Sequence, residues 1–221
     1  MLNNEPCLQY HMASNQFGKY CIPLTFMHCG TSKTTCTGMV YELATIHFIR
    51  SECGIGDVVH AGAFFGDFIP GISTKLSPGA MLWTFEPDFE CCLGAASTIH
   101  VNNLKNVRLM NVGLGVDSSL QYLSTGGRVV REKRKDKNDK MILIMSLDKI
   151  IPIDRNVSII HLDVELFEHQ VLIGAVETIK RCKPILILET LPPKKWLSDN
   201  ILSLGYVPSG KVNRNFVLRQ K

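Results

Sequence analysis

Three titratable side chains occur at alternate positions in the stretch HLDVE, namely His161, Asp163 and Glu165. Alternate residues of an extended strand point to one side, so these three are predicted to face one pocket. Glu189 ends the next apolar segment and is expected beside them. Such a group can take a proton from an acceptor hydroxyl, and the neutral-range titration of His161 suits a general base. A buried histidine held by a carboxylate is an almost equally good interpretation of His161.

The carboxylates in this group also suggest a metal site. Asp163, Glu165 and Glu189 offer oxygen ligands, and Mg²⁺ commonly takes one or two carboxylates together with several waters. No ligand spacing in the sequence demands a metal. A divalent ion is therefore a candidate that the sequence does not itself indicate.

A second group of residues lies in the stretch GDVVHAGAFFGDF, at positions 56–68. Gly62 and Gly66 allow a tight turn after a strand and a close approach of a ligand. Glu86 follows Gly66 by twenty positions and ends the next strand, where a carboxylate can accept hydrogen bonds from both ribose hydroxyls of a nucleoside. The stretch lacks the Gly-x-Gly-x-x-Gly pattern, and its two adjacent phenylalanines would crowd a pyrophosphate. A cofactor without phosphates is favoured, although the spacing alone does not separate NAD from S-adenosylmethionine.

The strands and helices that position these residues are predicted from apolar segments and helical patterns that alternate over residues 55–221. Continuously apolar strands separated by helices predict one doubly wound α/β domain, with a mostly parallel seven-stranded sheet and helices on both faces. The segments YVPSG and FVLRQ are expected to form a terminal antiparallel hairpin. Additional strands SLQYLS and MILIMS are expected to pair around a basic loop.

The remaining predictions concern the helices and the N-terminal arm. Residues 1–38 show no sustained period and are interpreted as irregular, with Thr37 capping a helix over 40–53. Segment 1–54 is thus predicted to be an arm and helix that cover the site. Further helices are expected over 88–100 and 167–180.

Composition and charge restrict the class of protein. The 221 residues suit one domain. The net charge of +4 equals that of segment 128–140, which is either a solvated loop or an attractant for an anionic substrate or nucleic acid. No apolar run approaches the length of a membrane span, no secretion signal opens the chain, and no Cys-x-x-Cys pair occurs. We expect a cytoplasmic protein with free thiols.

In order along the chain, GDVVHAGAFFGDF, WTFEPDFE, NVRLMNVGLG, SLDKI, HLDVELFEHQVLIGA and PILILET resemble the FkbM family of S-adenosylmethionine-dependent methyltransferases over about 56–208. The resemblance implies a class I methyltransferase (Rossmann-like) fold and O-methylation of a sugar or natural-product hydroxyl. Asp163 and Glu165 fall on the Asp-Val-Glu of the family. The cofactor-binding residues implied by the matching positions are His60, Ala61, Gly62, Phe65, Gly66, Asp67, Glu86, Pro87, Asp88, Asn111, Val112, Gly113 and Asp163.

Four positions depart from the family pattern. His60 replaces an acid of the first strand and Phe64 replaces an asparagine of the first loop. His161 stands where a lysine is common, and Leu166 stands where a glycine is common and narrows the space near the acceptor. The replacement of the acid at position 60 puts the methionine contact of His60 in doubt.

Several classes of function remain open. The favoured one is O-methylation of a small-molecule or glycan acceptor. An NAD-dependent oxidoreductase and an inactive cofactor-binding protein are alternatives. A nucleic-acid methyltransferase that grips its substrate through the basic loop is considered unlikely, because no Asn/Asp-Pro-Pro-type base pocket occurs and the loop has no aromatic residue for stacking. The sequence does not indicate an oligomeric state.

Overall fold

A computed structural model describes residues 9–124, 127–130 and 138–221 of the chain. The strands are β1 (Tyr10–Asn15), β2 (Gly18–Pro23), β3 (Asp57–Ala61), β4 (Leu82–Phe85), β5 (Val107–Met110), β6 (Gly113–Leu114), β7 (Ser119–Leu123), β8 (Val129–Val130), β9 (Lys140–Met145), β10 (Val157–Leu162), β11 (Ile185–Leu188), β12 (Tyr206–Val212) and β13 (Asn215–Gln220). The α-helices are α1 (Gly30–Cys36), α2 (Leu43–Glu52), α3 (Ile69–Ser73), α4 (Phe89–Val101), α5 (Leu147–Ile150), α6 (Glu168–Ile173), α7 (Val176–Cys182) and α8 (Lys194–Asn200). Leu24–Phe26 and Leu202–Leu204 form single 3₁₀ turns.

The main sheet has seven strands in the order β12-β13-β11-β10-β3-β4-β5. Strands β11, β10, β3, β4 and β5 are parallel, and the β12–β13 hairpin joins them antiparallel to β11. Every residue of β3 is buried; Val58 and Val59 pack into different apolar clusters, one on each face of the sheet. Helices α2, α3 and α4 cover one face, and α6, α7 and α8 cover the other. The predicted α/β fold with a terminal hairpin is confirmed.

The segments SLQYLS and MILIMS pair as predicted, but they do so in a separate sheet. Strands β7 and β9 are antiparallel, and with β6 and β8 they form a four-stranded sheet in the order β6-β9-β7-β8. The basic run between β8 and β9 was predicted to be a loop, and its residues 131–137 lie outside the described residues.

The prediction of an irregular arm before residue 38 is wrong. Strands β1 and β2 form a hairpin in which Asn15 pairs with Gly18, and the Asn15 side chain accepts a hydrogen bond from the Phe17 N–H at 2.9 Å. Helix α1 then ends before Thr37, so Thr37 does not cap a helix over 40–53. No residue of strand β1 is buried, and its sequence therefore lacks the apolar alternation by which strands are recognised.

The single helix predicted over 167–180 is divided in two. A Cβ atom on Gly174 would lie 1.9 Å from the Gly115 carbonyl oxygen, so the chain approaches the Gly115 backbone where α6 ends. A separate helix, α7, begins next, and the Asp148 carboxylate accepts hydrogen bonds from two N–H groups of its first turn. A periodicity argument cannot detect a cap supplied from 29 and 30 positions away in the sequence.

Two further expectations can be compared with the described residues. Their seven cysteines are all free thiols. None of their helices combines the length and apolar character that crossing a bilayer requires.

Candidate active site

A cavity of about 650 Å³ opens at the carboxyl ends of β3, β4 and β10. Ligands bind at this edge in open α/β sheets, because the loops that leave the strands diverge there. Ala61, Glu86 and Asp163 line the cavity from three neighbouring strands. The N-terminal segment and the four-stranded sheet supply the other walls.

The glycine turn brings the ends of β3 and β10 into contact. Gly62 has a φ of +92°, and a Cβ atom on it would lie 1.9 Å from the Asp163 carbonyl oxygen. The Asp163 N–H donates to the Ala61 carbonyl at 3.1 Å, and the Gly62 N–H donates to the Phe85 carbonyl at 3.1 Å. Gly62 is therefore required both for its backbone conformation and for this approach of two main chains.

Gly62→Ala is expected to lower the free energy of unfolding by about 2–5 kcal/mol, from backbone strain and from the clash with Asp163. Gly79→Ala is the matched control, since Gly79 has a φ of +83° but open space around its Cβ position. That control is expected to cost only the strain of about 1–3 kcal/mol. Denaturant unfolding of both variants measures the difference, and equal losses would contradict the close approach.

Glu86 is held by two backbone N–H groups, one from the loop after β3 and one from the loop after β4. Its Oε2 accepts from the Phe64 N–H at 2.8 Å, and its Oε1 accepts from the Asp88 N–H at 2.9 Å. Phe64 has a positive φ of 47°, which turns its N–H towards the carboxylate. Burial raises the pKa of Glu86 to about 8. A ligand that donates hydrogen bonds to this carboxylate would restore some of the solvation it lacks.

The next wall is built around Asp88. Its Oδ1 caps α4 by accepting from the Glu90 and Cys91 N–H groups, and its Oδ2 pairs with the Lys140 Nζ at 2.5 Å. Asn111 is exposed and donates to the carbonyls of residues 86 and 87, at 2.8 and 3.2 Å. It therefore holds the loop, while the two residues after it line the cavity.

Carboxylates collect at the other end of the cavity. Burial raises the pKa of Asp163 to about 8, and the nearby carboxylates of Glu189, Glu42, Asp67 and Glu165 add to the effect. Burial likewise raises the pKa of Asp67 to about 7. A carboxyl group with a pKa near 8 can exchange a proton with an acceptor at neutral pH.

His161 lies behind this surface and does not line the cavity. It is completely buried on β10 beside His60 of β3; the two Nδ1 atoms are 3.0 Å apart, and the stacked ring centroids are 4.9 Å apart. The extended strand ends at Leu162, and Glu165 has a φ of 52°. The sequence argument that residues 161, 163 and 165 share one extended strand is therefore wrong.

The histidine pair predicts a loss of stability in acid. Burial lowers the pKa of His60 to about 3, and burial together with the neighbouring His60 lowers the pKa of His161 well below its usual value. Below a pH of about 6.5 the unfolded chain therefore takes up protons that the folded chain does not. As the pH is lowered further, the free energy of unfolding decreases by up to about 1.4 kcal/mol per pH unit for each histidine. His161→Phe should remove one such contribution.

Denaturant unfolding at pH values below 7 tests this expectation. His100→Phe is the control, because His100 is an exposed histidine on α4. The free energy of unfolding of this control should depend on pH in the same way as that of the wild-type protein. Parallel curves for wild type and His161→Phe would contradict a buried neutral pair.

The structure places the sequence-predicted residues in two groups. The cavity is lined by Ala61, Gly62, Asp67, Glu86, Pro87, Asp88, Val112, Gly113, Asp163 and Glu165. Those outside its lining are His60, Phe65, Gly66, Asn111, His161 and Glu189. Phe65 is buried against Tyr20 and Ile22, and Gly66 packs closely against α4.

Sequence reasoning expected the N-terminal segment to cover the site but did not identify which of its residues line the cavity. The lining residues of this segment are Thr25, Phe26, His28, Cys29, Thr31 and Tyr41. The Phe26 and Phe64 rings meet edge to face, with their centroids 5.4 Å apart. The Thr25 hydroxyl donates a hydrogen bond to the Glu90 carboxylate. No motif marks these residues; the available signal was a set of aromatic and polar residues in a segment already expected to cover the site.

Among the described residues, no group of three or more His, Cys, Asp or Glu side chains is arranged to hold a metal ion. Asp163, Glu165 and Glu189 thus do not form a three-ligand site in this arrangement. A metal requirement stays an untested alternative.

Known structures with the same fold are methyltransferases. M. jannaschii TYW2 in complex with AdoMet aligns with a TM-score of 0.56 and 9% identity over 97% of this chain and 85% of that one. The Pyrococcus abyssi tRNA (uracil-54, C5)-methyltransferase in complex with S-adenosyl-L-homocysteine aligns with a TM-score of 0.50 and 10% identity. The alignment covers 95% of this chain and 43% of that one. At these identities the likeness shows the fold, which is that of the class I methyltransferases.

The family is more specific than the fold. Residues 60–204 match the methyltransferase FkbM domain, and the chain belongs to this family. The methyltransferase FkbM from Methylobacillus flagellatus KT aligns with a TM-score of 0.52 and 20% identity. The alignment covers 74% of this chain but only 43% of that one, so this chain spans less than half of the length of that relative. No curated protein matches the chain.

These similarities do not support the expectation that nucleic acid is an unlikely acceptor, since one of the aligned structures is a tRNA methyltransferase. The choice between acceptors depends on the residues around the cavity.

Proposed function

We propose that this chain is an S-adenosylmethionine-dependent O-methyltransferase that acts on a hydroxyl group of a sugar or glycan. The observation that carries the proposal is that the buried Glu86 and the half-buried Asp163, two carboxyl groups with raised pKa values, line one cavity at the ends of parallel strands. The first suits a nucleoside, and the second suits an acceptor hydroxyl.

The residues present fit the cofactor. Glu86 retains oxygen lone pairs for two ribose hydroxyls, and Val112 and Gly113 line the same cavity. Gly62 lines the same cavity at the turn after β3. Bound S-adenosylmethionine would supply an electrophilic methyl group on a positively charged sulfur. The carboxylates of Asp67 and Asp163 would attract that positive charge.

Asp163 would act on the acceptor. Its carboxylate would orient the acceptor hydroxyl and accept the proton that this hydroxyl releases as its oxygen is methylated. Glu165 and Glu189 would keep the pKa of Asp163 high through their charge. His161 would act as a positioning residue, because its pairing with His60 fixes the two strands that carry Asp163 and Gly62. The N-terminal segment would cover the site through Phe26 and Tyr41.

The charge of the described part of the cavity lining favours a neutral acceptor. Its described lining contains one lysine, Lys140, and no arginine, and Lys140 is already paired with Asp88. The same lining contains six acidic residues. Nucleic-acid binding depends on cations that neutralise phosphates, so this lining opposes a polyanionic acceptor. A polyhydroxyl compound, in contrast, supplies hydrogen-bond donors for the carboxylates.

The experiment is transfer of a labelled methyl group from S-adenosylmethionine to a panel of neutral hexosides and deoxysugar glycosides, with RNA as a competing acceptor. We expect label in a base-stable methyl ether of a sugar. Each reaction is repeated with a chelator and with Mg²⁺, which decides the metal alternative. Transfer to RNA alone would contradict the proposed acceptor, whereas cofactor binding without transfer to any acceptor would favour the inactive binding protein.

A further inference from the structure

Phe64 has a backbone conformation that is strained for an aromatic residue. Its φ is 47°, in the left-handed region that favours glycine. Six other described non-glycine residues have a positive φ, and none of them is aromatic. Strain of this kind persists only where the surrounding structure holds it, and it collects at ligand sites. Because Phe64 lines the cavity, its strain points to a function there.

The strained main chain serves the Glu86 carboxylate. In this conformation the Phe64 N–H donates to Glu86 Oε2 at 2.8 Å. The Gly66 N–H closes the turn by donating to the Ala63 carbonyl at 2.7 Å. Burial raises the pKa of Glu86 to about 8, and the N–H groups of Asp88 and Phe64 act in the opposite direction. The conformation of Phe64 therefore supports the ionised form of Glu86, which is the stronger acceptor.

The ring of Phe64 belongs to an aromatic surface of the cavity. Its centroid lies 5.4 Å from that of Phe26, in an edge-to-face arrangement, and 4.8 Å from that of Phe65. Phe26 comes from the first 3₁₀ turn and also lines the cavity. Phe64 replaces the asparagine of the family pattern, and asparagine adopts a positive φ at lower cost. Phenylalanine thus adds both strain and an aromatic surface at this position.

We propose that Phe64 is a further cofactor-binding residue, which positions Glu86 with its main chain and packs against the nucleoside with its ring. The inference rests on the proposed cofactor. The N–H groups of Phe64 and Asp88 each hold one carboxylate oxygen, so the carboxylate has one orientation for the ribose hydroxyls. The Phe26–Phe64 pair supplies the apolar surface beside it.

A purely structural role explains fewer of these observations. A tight turn alone does not need phenylalanine, because glycine or asparagine adopts the same conformation with less strain. The contact with Phe26 could instead serve only to fix the N-terminal segment. In that case, substitution of Phe64 would leave the affinity for the cofactor and its dependence on pH unchanged.

Two substitutions separate the ring from the main chain. Phe64→Asn removes the ring but keeps a residue that tolerates a positive φ. Phe64→Val keeps an apolar side chain, but its branched Cβ disfavours this conformation and should withdraw the N–H from Glu86. Lys183→Asn and Lys183→Val are the matched controls, because Lys183 has a φ of 53° and is exposed at the end of α7.

The experiment is calorimetric titration with S-adenosylhomocysteine as a function of pH. Phe64→Asn should bind about threefold or more weakly, through loss of the aromatic surface, with the pH dependence of wild type. Phe26→Ala should behave in the same way. Phe64→Val should bind about tenfold or more weakly, because the Glu86 carboxylate loses a hydrogen bond. Both Lys183 variants should bind within about twofold of wild type.

The pH dependence of Phe64→Val distinguishes a positioning role from a structural one. Without the Phe64 N–H, only the Asp88 N–H opposes burial and the charges of Asp88 and Asp67, which all raise the pKa of Glu86. The pH at which affinity rises should therefore move upward in Phe64→Val alone. Circular dichroism checks that each variant is folded, and Phe64→Asn and Phe26→Ala still test the ring if Phe64→Val is not.

Three results would overturn the inference. They are wild-type affinity in Phe64→Asn and Phe26→Ala, an unshifted pH dependence in a folded Phe64→Val, and equal losses of affinity in Phe64→Val and Lys183→Val. The last would mean that added strain weakens binding from any position. Absence of S-adenosylhomocysteine binding by the wild-type protein would instead contradict the proposed cofactor, and this inference with it.

Discussion

Asp163→Asn is expected to lower the kcat of methyl transfer by about 10²–10⁴-fold, the usual contribution of a positioned general base. Asparagine keeps the shape of the side chain but cannot accept the proton. The affinity for S-adenosylhomocysteine should change by less than about tenfold, since a single uncharged replacement at the acceptor end removes little of the cofactor site. Single-turnover rates and calorimetric titration separate the two effects.

The same account predicts the dependence of the rate on pH. The raised pKa of Asp163, about 8, means that the carboxylate is mostly protonated at pH 7 and becomes available as a base above that pH. The wild-type rate should therefore rise with pH and level off above about 8. Asp163→Asn should lack this rise.

Two controls accompany Asp163→Asn. Asp154→Asn makes the same chemical change at an exposed loop position and should retain full activity. His161→Phe tests the base that the sequence favoured, and it should retain the rise of the rate with pH. The opposite result would identify His161 as the base. In that case Asp163→Asn would keep the wild-type dependence of the rate on pH, and His161→Phe would lose it.

Glu86→Ala is expected to weaken binding of S-adenosylhomocysteine by about 1.5–3 kcal/mol, the cost of leaving ribose hydroxyls without a charged acceptor. In dissociation constants this is about 10- to 150-fold. Because the pKa of Glu86 is raised to about 8 and the hydroxyls favour its ionised form, wild-type affinity should increase as the pH rises through 8. Glu86→Gln keeps the shape of the side chain that contacts the two backbone N–H groups. Its affinity for S-adenosylhomocysteine should therefore lie between those of wild type and Glu86→Ala.

The sheet was predictable because its strands are buried on both faces. Continuous apolar segments such as those around Val58 and Ile159 leave few alternatives to a parallel sheet. The hairpin of β1 and β2 was not predictable in the same way, since no residue of β1 is buried. Strand β2 is instead held to a distant helix, where the Thr98 hydroxyl accepts the Cys21 N–H at 3.0 Å.

Within the site, strand-end positions were predictable and side-chain directions were not. Glu86 and Asp163 end their strands as the spacing indicated, and both line the cavity. His161 has the right type and spacing for a base, but the left-handed backbone at Glu165 and the partner His60 on the next strand decide where each side chain points. Such directions depend on contacts between segments about 100 positions apart in sequence, as in the pair His60–His161.

Calorimetric titration of S-adenosylhomocysteine against the wild-type protein and Glu86→Ala tests the central claim most directly. Glu177→Ala is the control, because it removes the same side chain from the exposed surface of α7. We predict measurable binding by wild type and Glu177→Ala, a loss of about 10- to 150-fold in Glu86→Ala, and no comparable binding of NAD. Equal affinities for all three proteins, or preferential binding of NAD, would contradict a cofactor site built on Glu86.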